Sequence, residues 1–283
     1  RTPFIFLAIS STSNIAMDIL FVKAFNMGIA GVAWATFLCQ SISCILSIII
    51  VLKRLHSLKC NEDERVRIFD IHIFGRIAAI AVPSILQQSF ISIGNIIIQS
   101  VINGFGTSVM AGYSAAIKLN NLVITSLTTL GNGISNYTAQ NLGAGKKERI
   151  RPGFFAGGKL VWIICIPFII LYWVAGRYLL LLFMEQSSTS AIETGMQFLK
   201  IISPFYMIVS IKLVADGVLR GAGKMGRFMI TTFTDLILRV ALAILLSAHY
   251  GTAGIWSVWP IGWCISTTLS VVFFFTGEWN KKR

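Results

Sequence analysis

The stretch from Leu160 to Gly176 is LVWIICIPFIILYWVAG and contains no charged side chain. A helix of about 20 mostly apolar residues crosses the hydrocarbon core of a bilayer, and this stretch lies in such a window, 153–176. The whole chain has the same character, because 55% of its 283 residues are hydrophobic and only 12% are charged. A soluble domain carries roughly 25% charged residues. The sequence therefore predicts a membrane protein.

Windows of this kind recur along the chain and predict an all-α membrane protein with about eight transmembrane helices. The predicted spans are 3–22, 28–52, 77–102, 108–136, 153–176, 191–219, 228–249 and 252–276. The first span is not interpreted as a signal peptide, because only Arg1 precedes it as a charge and no small-residue cleavage site follows it. Because the chain enters this span at once, we expect it to be part of a longer protein.

The net charge of +13 indicates a membrane topology rather than a nucleic-acid partner. When both ends are placed inside, 18 of the 24 Lys and Arg residues fall on one face, chiefly in the segments 53–76, 146–159, 220–227 and 281–283. The opposite loops contain only Lys23 and Arg177. Since Lys and Arg concentrate in cytoplasmic loops, both ends of this chain are predicted to be cytoplasmic.

The chain also contains a weak internal repeat on either side of a polar linker. The block 28–43 matches the block 251–266 at a constant offset of 223 residues, and each block opens a span of the same orientation. Repeats of this kind are related by an axis along the membrane normal. The predicted organisation is 1–52 for the last two helices of an N-terminal lobe, 53–72 for a cytoplasmic linker, 73–277 for a complete six-helix C-terminal lobe, and 278–283 for a cytoplasmic tail. A chance match of Gly and Ala is the alternative.

Motifs of soluble catalysis are missing from the sequence. It contains no Gly-rich phosphate loop, no HExxH, no GxSxG and no CxxCH. The five cysteines form no CxxC pair and the three histidines are scattered, so neither a disulfide framework nor a zinc site is expected. We expect a protein that is not an enzyme and that holds no metal and no cofactor.

Apart from Glu193, at the start of the sixth predicted span, three of the eleven acidic residues lie inside predicted spans, where a charge is costly and requires a partner or a function. Asp216 follows Lys212 by four residues and Asp235 precedes Arg239 by four, a spacing that predicts ion pairs on one helix face. The alternative is that these carboxylates are lateral partners of another helix. Asp18 has no Lys or Arg at that spacing. An unpaired carboxylate in a low dielectric takes up a proton or a small cation readily. The alternative for Asp18 is a position near the span end, in contact with outer water.

A polar stripe follows one face of the third predicted span. Its five members are separated by steps of four, four, three and four residues, and they are Ser84, Gln88, Ser92, Asn95 and Gln99. In lipid such a stripe must face protein or a water-filled cavity. Two interpretations stay open, namely hydrogen bonding between helices and the lining of a substrate passage.

Four stretches, in chain order, resemble the MATE (multidrug and toxic compound extrusion) transporters. They are Asn14–Phe21 together with Met27–Thr36 and Gln40, then Pro83–Gln88, then Ala139–Gly145 with Arg149, and finally Gly217–Gly223. The resemblance implies twelve helices in two six-helix lobes, of which this chain would hold helices five to twelve. It also implies a multi-pass protein of the cell membrane, monomeric, whose partners are small organic substrates and membrane lipid.

The activity implied by the resemblance is multidrug efflux by antiport, driven by inward flow of H⁺ or Na⁺. In one branch of the family the cation site would consist of Asn14, Asp18 and Thr36, with a further Asp on a helix outside this chain. Another branch places carboxylates on helices seven and ten, and the absence of any carboxylate from the third span counts against it. The alternatives are a lipid-linked oligosaccharide flippase of the same superfamily, a membrane-embedded enzyme and an inactive fragment.

Overall fold

The computed structural model describes residues 2–57, 70–184 and 189–280, and the side chains of residues 8–56, 70–184 and 189–279. No strand occurs in this part of the chain. The helices are α1 (Thr2–Ile19), α2 (Gly28–Ser57), α3 (Ile71–Asn103), α4 (Thr107–Gly143), α5 (Ile150–Leu180), α6 (Thr189–Ile202), α7 (Tyr206–Gly221) and α8 (Met225–Phe275). The predicted all-α class is confirmed.

Five helical segments of the described chain are long and apolar enough to cross a membrane. They are Gly28–His56, Ile71–Asn103, Lys147–Leu180, Thr189–Gly221 and Met225–Phe275. The last contains two of the predicted spans, because Gly251 has non-helical backbone angles that bend α8 there. Large apolar side chains such as Val174, 78% exposed, cover the outside of these helices. In a membrane protein such side chains face lipid, so the predicted membrane class is confirmed.

Several helices are longer than the predicted spans. α2 continues to Ser57 and α3 begins at Ile71, so both ends of the predicted linker 53–72 are helical. The charged ends extend the helices because Lys and Arg are good helix formers and can reach the headgroup region with their side chains. The rest of that linker lies outside the described residues. Pro204 falls in the 3₁₀ turn Ser203–Phe205 between α6 and α7, which interrupts the predicted span 191–219.

The chain divides into two compact units, Arg1–Asp70 and Ile71–Arg283. In unit 1, α1 packs on α2, and Ser10 Oγ donates a hydrogen bond to the Cys39 carbonyl at 3.0 Å. A π-helical turn over Leu20–Ala24 ends α1. Unit 1 is thus a helical hairpin.

Unit 2 is a bundle of α3 to α8 around a buried apolar core. α4 and α7 approach closely, since a Cβ added at Gly217 would collide with the carbonyl oxygen of Gly131. Across the bundle, Tyr113 of α4 stacks on Trp256 of α8, with ring centroids 5.5 Å apart. Small residues let transmembrane helices pack at short distance, and the aromatic pair fills the wider space near α8.

The repeated blocks share their local geometry. Gly28 has φ +54° and Gly251, 223 residues later, has φ +57°. Only glycine adopts this left-handed region without steric cost. Three residues further on, a Cβ at Gly31 would meet the Met27 Cβ, and a Cβ at Gly254 would meet the Tyr250 Cβ, both at 3.0 Å. The two blocks thus share a positive-φ glycine and a close approach three residues later, and the internal repeat stays a prediction.

Candidate functional sites in the two helical units

The three residues of the predicted cation site lie together in unit 1. Asn14 and Asp18 are one helical turn apart on α1, and Asn14 Nδ2 donates a hydrogen bond to Thr36 Oγ1 of α2 at 3.4 Å. Asp18 is half-buried, and its Oδ1 atom is sealed from solvent without a hydrogen-bond partner in the described part of the chain. Asp18 and Asn14 on α1 and Thr36 on α2 thus provide carboxylate, amide and hydroxyl oxygens. Such oxygens can coordinate a hard cation, and the carboxylate can also bind a proton.

The polar stripe of α3 is divided between two environments. Gln88 and Asn95 line a cavity inside unit 2, whereas Ser84, Ser92 and Gln99 are not among its lining residues. The hydroxyls of Ser84 and Ser92 bond to carbonyls four residues earlier on the same helix, and Gln99 Nε2 donates to Asn103 Oδ1 at 2.8 Å. Within the described chain these bonds stay inside α3. The passage proposed for the whole stripe remains a prediction.

The cavity has a volume of about 440 Å³ and lies between α3, α4, α7 and α8. Gln87, which neighbours the stripe, lines it and donates from Nε2 to Thr232 Oγ1 of α8 at 3.1 Å. α4 contributes Asn120, whose Oδ1 accepts a hydrogen bond from Tyr206 at 3.1 Å. Small-molecule sites occupy about 300–1,000 Å³, so this cavity is large enough to hold an organic ligand.

Both predicted ion pairs are confirmed, and both line this cavity. Lys212 Nζ is 2.8 Å from Asp216 Oδ2, and the two residues are 6% and 2% exposed. Asp216 Oδ1 also accepts hydrogen bonds from Thr231 at 3.2 Å and Ser270 at 2.7 Å. The carboxylate thus has partners on both oxygens from α7 and from both halves of α8, as a buried charge requires.

The second ion pair joins Asp235 Oδ2 to Arg239 on α8. The guanidinium of Arg239 lies over the Trp259 ring, 4.3 Å from its centroid. Asp235 Oδ1 packs against Gly262, where an added Cβ would lie 2.7 Å from that oxygen. A glycine at this position makes room for the carboxylate between the two halves of α8.

Arg220 is a third cation on the cavity wall. It is half-buried, its Nη2 donates to Asn132 Oδ1 at 2.8 Å, and its guanidinium lies 5.2 Å from the Phe228 ring centroid. No carboxylate of the described residues forms an ion pair with it. Arg220 was not among the site residues predicted from the sequence. The sequence nevertheless contained a pattern that could have identified it. Asp216 has Lys212 four residues before it and Arg220 four residues after it, and because one carboxylate neutralises only one cation, one of the two is left with an excess positive charge.

No group of three or more His, Cys, Asp or Glu side chains that could hold a metal ion occurs within the described ranges. The cysteines described are free, and Cys39 and Cys165 are buried. The polar groups that converge are therefore those of the hairpin site in unit 1 and the cavity in unit 2.

Comparison with known proteins gives a consistent result. The MatE family model matches residues 83–245. The Probable multidrug resistance protein YpnP of Bacillus subtilis is 29% identical over 284 residues, which cover 100% of this chain and 62% of the relative. The Probable multidrug resistance protein YoeA of the same organism is 25% identical, again over 100% of this chain and 62% of the relative. The chain thus spans about three fifths of the length of these relatives.

Solved structures show the same fold. A transporter of the MOP superfamily from Pyrococcus furiosus superposes with a TM-score of 0.85 over 95% of this chain and 61% of its own, at 19% sequence identity. At that identity the likeness concerns the fold alone.

Proposed function

Because the chain belongs to the MatE family, we propose that it forms part of a secondary active antiporter, which exports amphipathic or cationic organic compounds in exchange for protons or sodium ions. The two Bacillus relatives are named as probable multidrug resistance proteins, which supports drug export. In an antiporter, binding of the coupling ion and of the cargo must favour different conformations. Asp18 is the group to which we assign the coupling ion.

The observation that carries this assignment is the state of Asp18 in unit 1. Asp216 and Asp235 are each paired with a cation, while Asp18 makes no ion pair and its sealed oxygen has no partner in the described chain. The neighbouring Asn14 amide is held by Thr36. A proton or Na⁺ bound at Asp18 would remove the cost of this uncompensated carboxylate.

The proposed protein lies in the cell membrane with both ends of this chain in the cytoplasm, as the distribution of Lys and Arg predicts. We propose that it works as a monomer without a resident cofactor. Its partners are then small organic substrates and the surrounding lipid, and no nucleic acid is involved.

Exchange in everted membrane vesicles tests the role of Asp18. Addition of a cationic dye such as ethidium to vesicles with the wild-type protein should release protons or drive Na⁺ counterflow, followed by a pH-sensitive dye and by ²²Na⁺. Asp18→Asn keeps the shape of the side chain and removes its charge. We expect it to abolish this exchange while expression and thermal stability stay normal.

The matched control is Glu193→Gln, which removes an exposed carboxylate from α6. It should leave the exchange unchanged. Dye-dependent ion exchange at the wild-type rate in Asp18→Asn would show that the coupling carboxylate lies elsewhere.

A further inference from the structure

We propose that the cavity of unit 2 binds an organic anion, with Arg220 as the charge that receives its carboxylate or phosphate group. The inference deepens the proposed function, on which it rests for the role of the ligand as cargo. The inference adds organic acids to the amphipathic and cationic compounds that the protein is proposed to export. Its basis is the balance of charges and hydrogen-bond donors on the cavity wall, which is independent of Asp18.

The charges on the cavity wall leave one cation without a counterion. Lys212 is paired with Asp216, and Arg239 is paired with Asp235. Arg220 lines the same cavity and forms no ion pair within the described chain. Its guanidinium donates to the neutral amide of Asn132 and packs on the Phe228 ring, while Asp216, already paired with Lys212, attracts it only at longer range. The described wall thus carries a net charge of one positive unit. Because Arg220 is half-buried, this charge attracts an anion more strongly than a charge in bulk water would.

The unsatisfied polar atoms of the wall are mostly donors. Arg220 Nε, Arg239 Nε and Trp259 Nε1 are all sealed from solvent and have no acceptor in the described chain. A single acceptor atom, Asp235 Oδ1, is in the same condition, and it packs against Gly262. A buried donor without an acceptor costs about 1–3 kcal/mol. A ligand rich in acceptor oxygens, reached by a small rotation of the Arg side chains, would satisfy these donors.

The same wall is poorly suited to a cation. Both oxygens of Asp216 already accept hydrogen bonds from Lys212, Thr231 and Ser270. A cationic ligand would have to displace the ammonium of Lys212, a residue that is 6% exposed and whose ammonium has no second hydrogen-bond partner in the described chain. Removing one partner from a buried ion pair is strongly unfavourable. The carboxylates therefore neutralise the wall's own cations rather than offering a site to a bound one.

The rest of the lining suits an organic body attached to the anionic group. Gln88, Asn95 and Asn121 provide amides, while Trp263 and Phe228 provide apolar ring surface. At about 440 Å³ the cavity has the size of a site for a small drug-like molecule. An aromatic monocarboxylate combines the required charge, acceptor oxygens and apolar surface.

Equilibrium dialysis with two probes of the same shape and opposite charge tests the inference. The purified chain in neutral maltoside micelles is dialysed against 1-naphthoate or 1-naphthylmethylammonium, with protein-free micelles as the blank. The wild-type chain should bind naphthoate and prefer it over the ammonium compound. Arg220→Gln should weaken naphthoate binding by about 10- to 100-fold, as expected for a lost charge-assisted hydrogen bond.

Arg227→Gln is the matched control, because Arg227 also stacks on a ring, that of Phe273 at 5.7 Å, but does not line the cavity. It should bind naphthoate like the wild type, and so should Arg220→Lys, which keeps the charge. Competition by phosphatidylglycerol would assign the bound anion to a lipid headgroup, and competition by free organic acids alone would assign it to a soluble compound.

Three results would overturn the proposal. They are a preference of the folded wild-type chain for the ammonium probe, an absence of naphthoate binding to that chain, and undiminished binding by Arg220→Gln. Because dialysis measures no transport, a failure here leaves the assignment of Asp18 standing. Loss of coupling in the vesicle assay likewise leaves anion binding standing.

Discussion

Substitution of Asp216 by Asn should destabilise unit 2 more than any exposed substitution. The change removes the partner of Lys212, a residue that is 6% exposed and whose ammonium makes no other hydrogen bond in the described chain. Breaking a buried ion pair by removing one partner costs about 3–5 kcal/mol. Each kcal/mol lowers Tm by about 2–4 °C for a unit of this size, so we expect a decrease of about 6–20 °C.

Substitution of Lys212, the other partner of the ion pair, should lower the melting temperature less than Asp216→Asn does. The reason is that the two partners differ in the contacts that remain after the substitution. In Lys212→Met the carboxylate of Asp216 still accepts hydrogen bonds from Thr231 and Ser270. In the double variant Lys212→Met/Asp216→Asn no charge is left, and the remaining cost is one unpaired amide, about 1–3 kcal/mol. The double variant should therefore be more stable than Asp216→Asn alone.

Thermal unfolding in detergent, followed by intrinsic Trp fluorescence, provides the four melting temperatures of this double-mutant cycle. The coupling free energy between Lys212 and Asp216 follows from the non-additivity of the stability changes in the two single variants and the double variant. A double variant that melts at or below the temperature of Asp216→Asn would refute the argument, since it would show that the lost stability does not come from an uncompensated ammonium. So would an Asp216→Asn protein that melts within about 2 °C of the wild type, less than the shift expected for 1 kcal/mol.

Two further predictions concern packing and topology. Gly217→Ala should lower the melting temperature, because the new Cβ would collide with the Gly131 carbonyl and overpacking costs about 1–3 kcal/mol. Gly133→Ala, with open space around its Cβ, should stabilise its helix slightly, and equal melting of these two variants would disprove the close contact. Cysteines introduced at Lys147 and Lys224 should react with an impermeant thiol reagent only from the cytoplasmic side. Labelling of these cysteines from outside intact cells would contradict the predicted topology.

Local patterns in the sequence predicted the features that depend on one helix or one turn. The four-residue spacing of Lys212 and Asp216 predicted their ion pair, since residues at that spacing share a helix face. The positive-φ glycine Gly251 marks the boundary between two predicted spans. Asn14 and Thr36 were grouped by family resemblance, and they are joined by a hydrogen bond.

The cavity of unit 2 could not be predicted in this way, because it arises where four helices meet. The spacing of Arg239 identifies Asp235 as its partner but contains no information on Trp259, which reaches it from the other half of α8. The division of the α3 stripe has a similar cause. Gln88 and Asn95 line the cavity only because α3 packs on α8 in one register, with Gly94 against Leu236.

The glycines Gly28 and Gly251 have the same consequence for the helix that follows each of them. Eight residues after each of them, the second helix contacts the helix before it, through Thr36 and Asn14 in unit 1 and through Trp259 and Arg239 in unit 2. One contact is a neutral hydrogen bond and the other places a guanidinium on an aromatic face. The same turn geometry thus brings the residue eight positions after each glycine against the helix before it, and the side chains at these two equivalent positions make contacts of different chemistry.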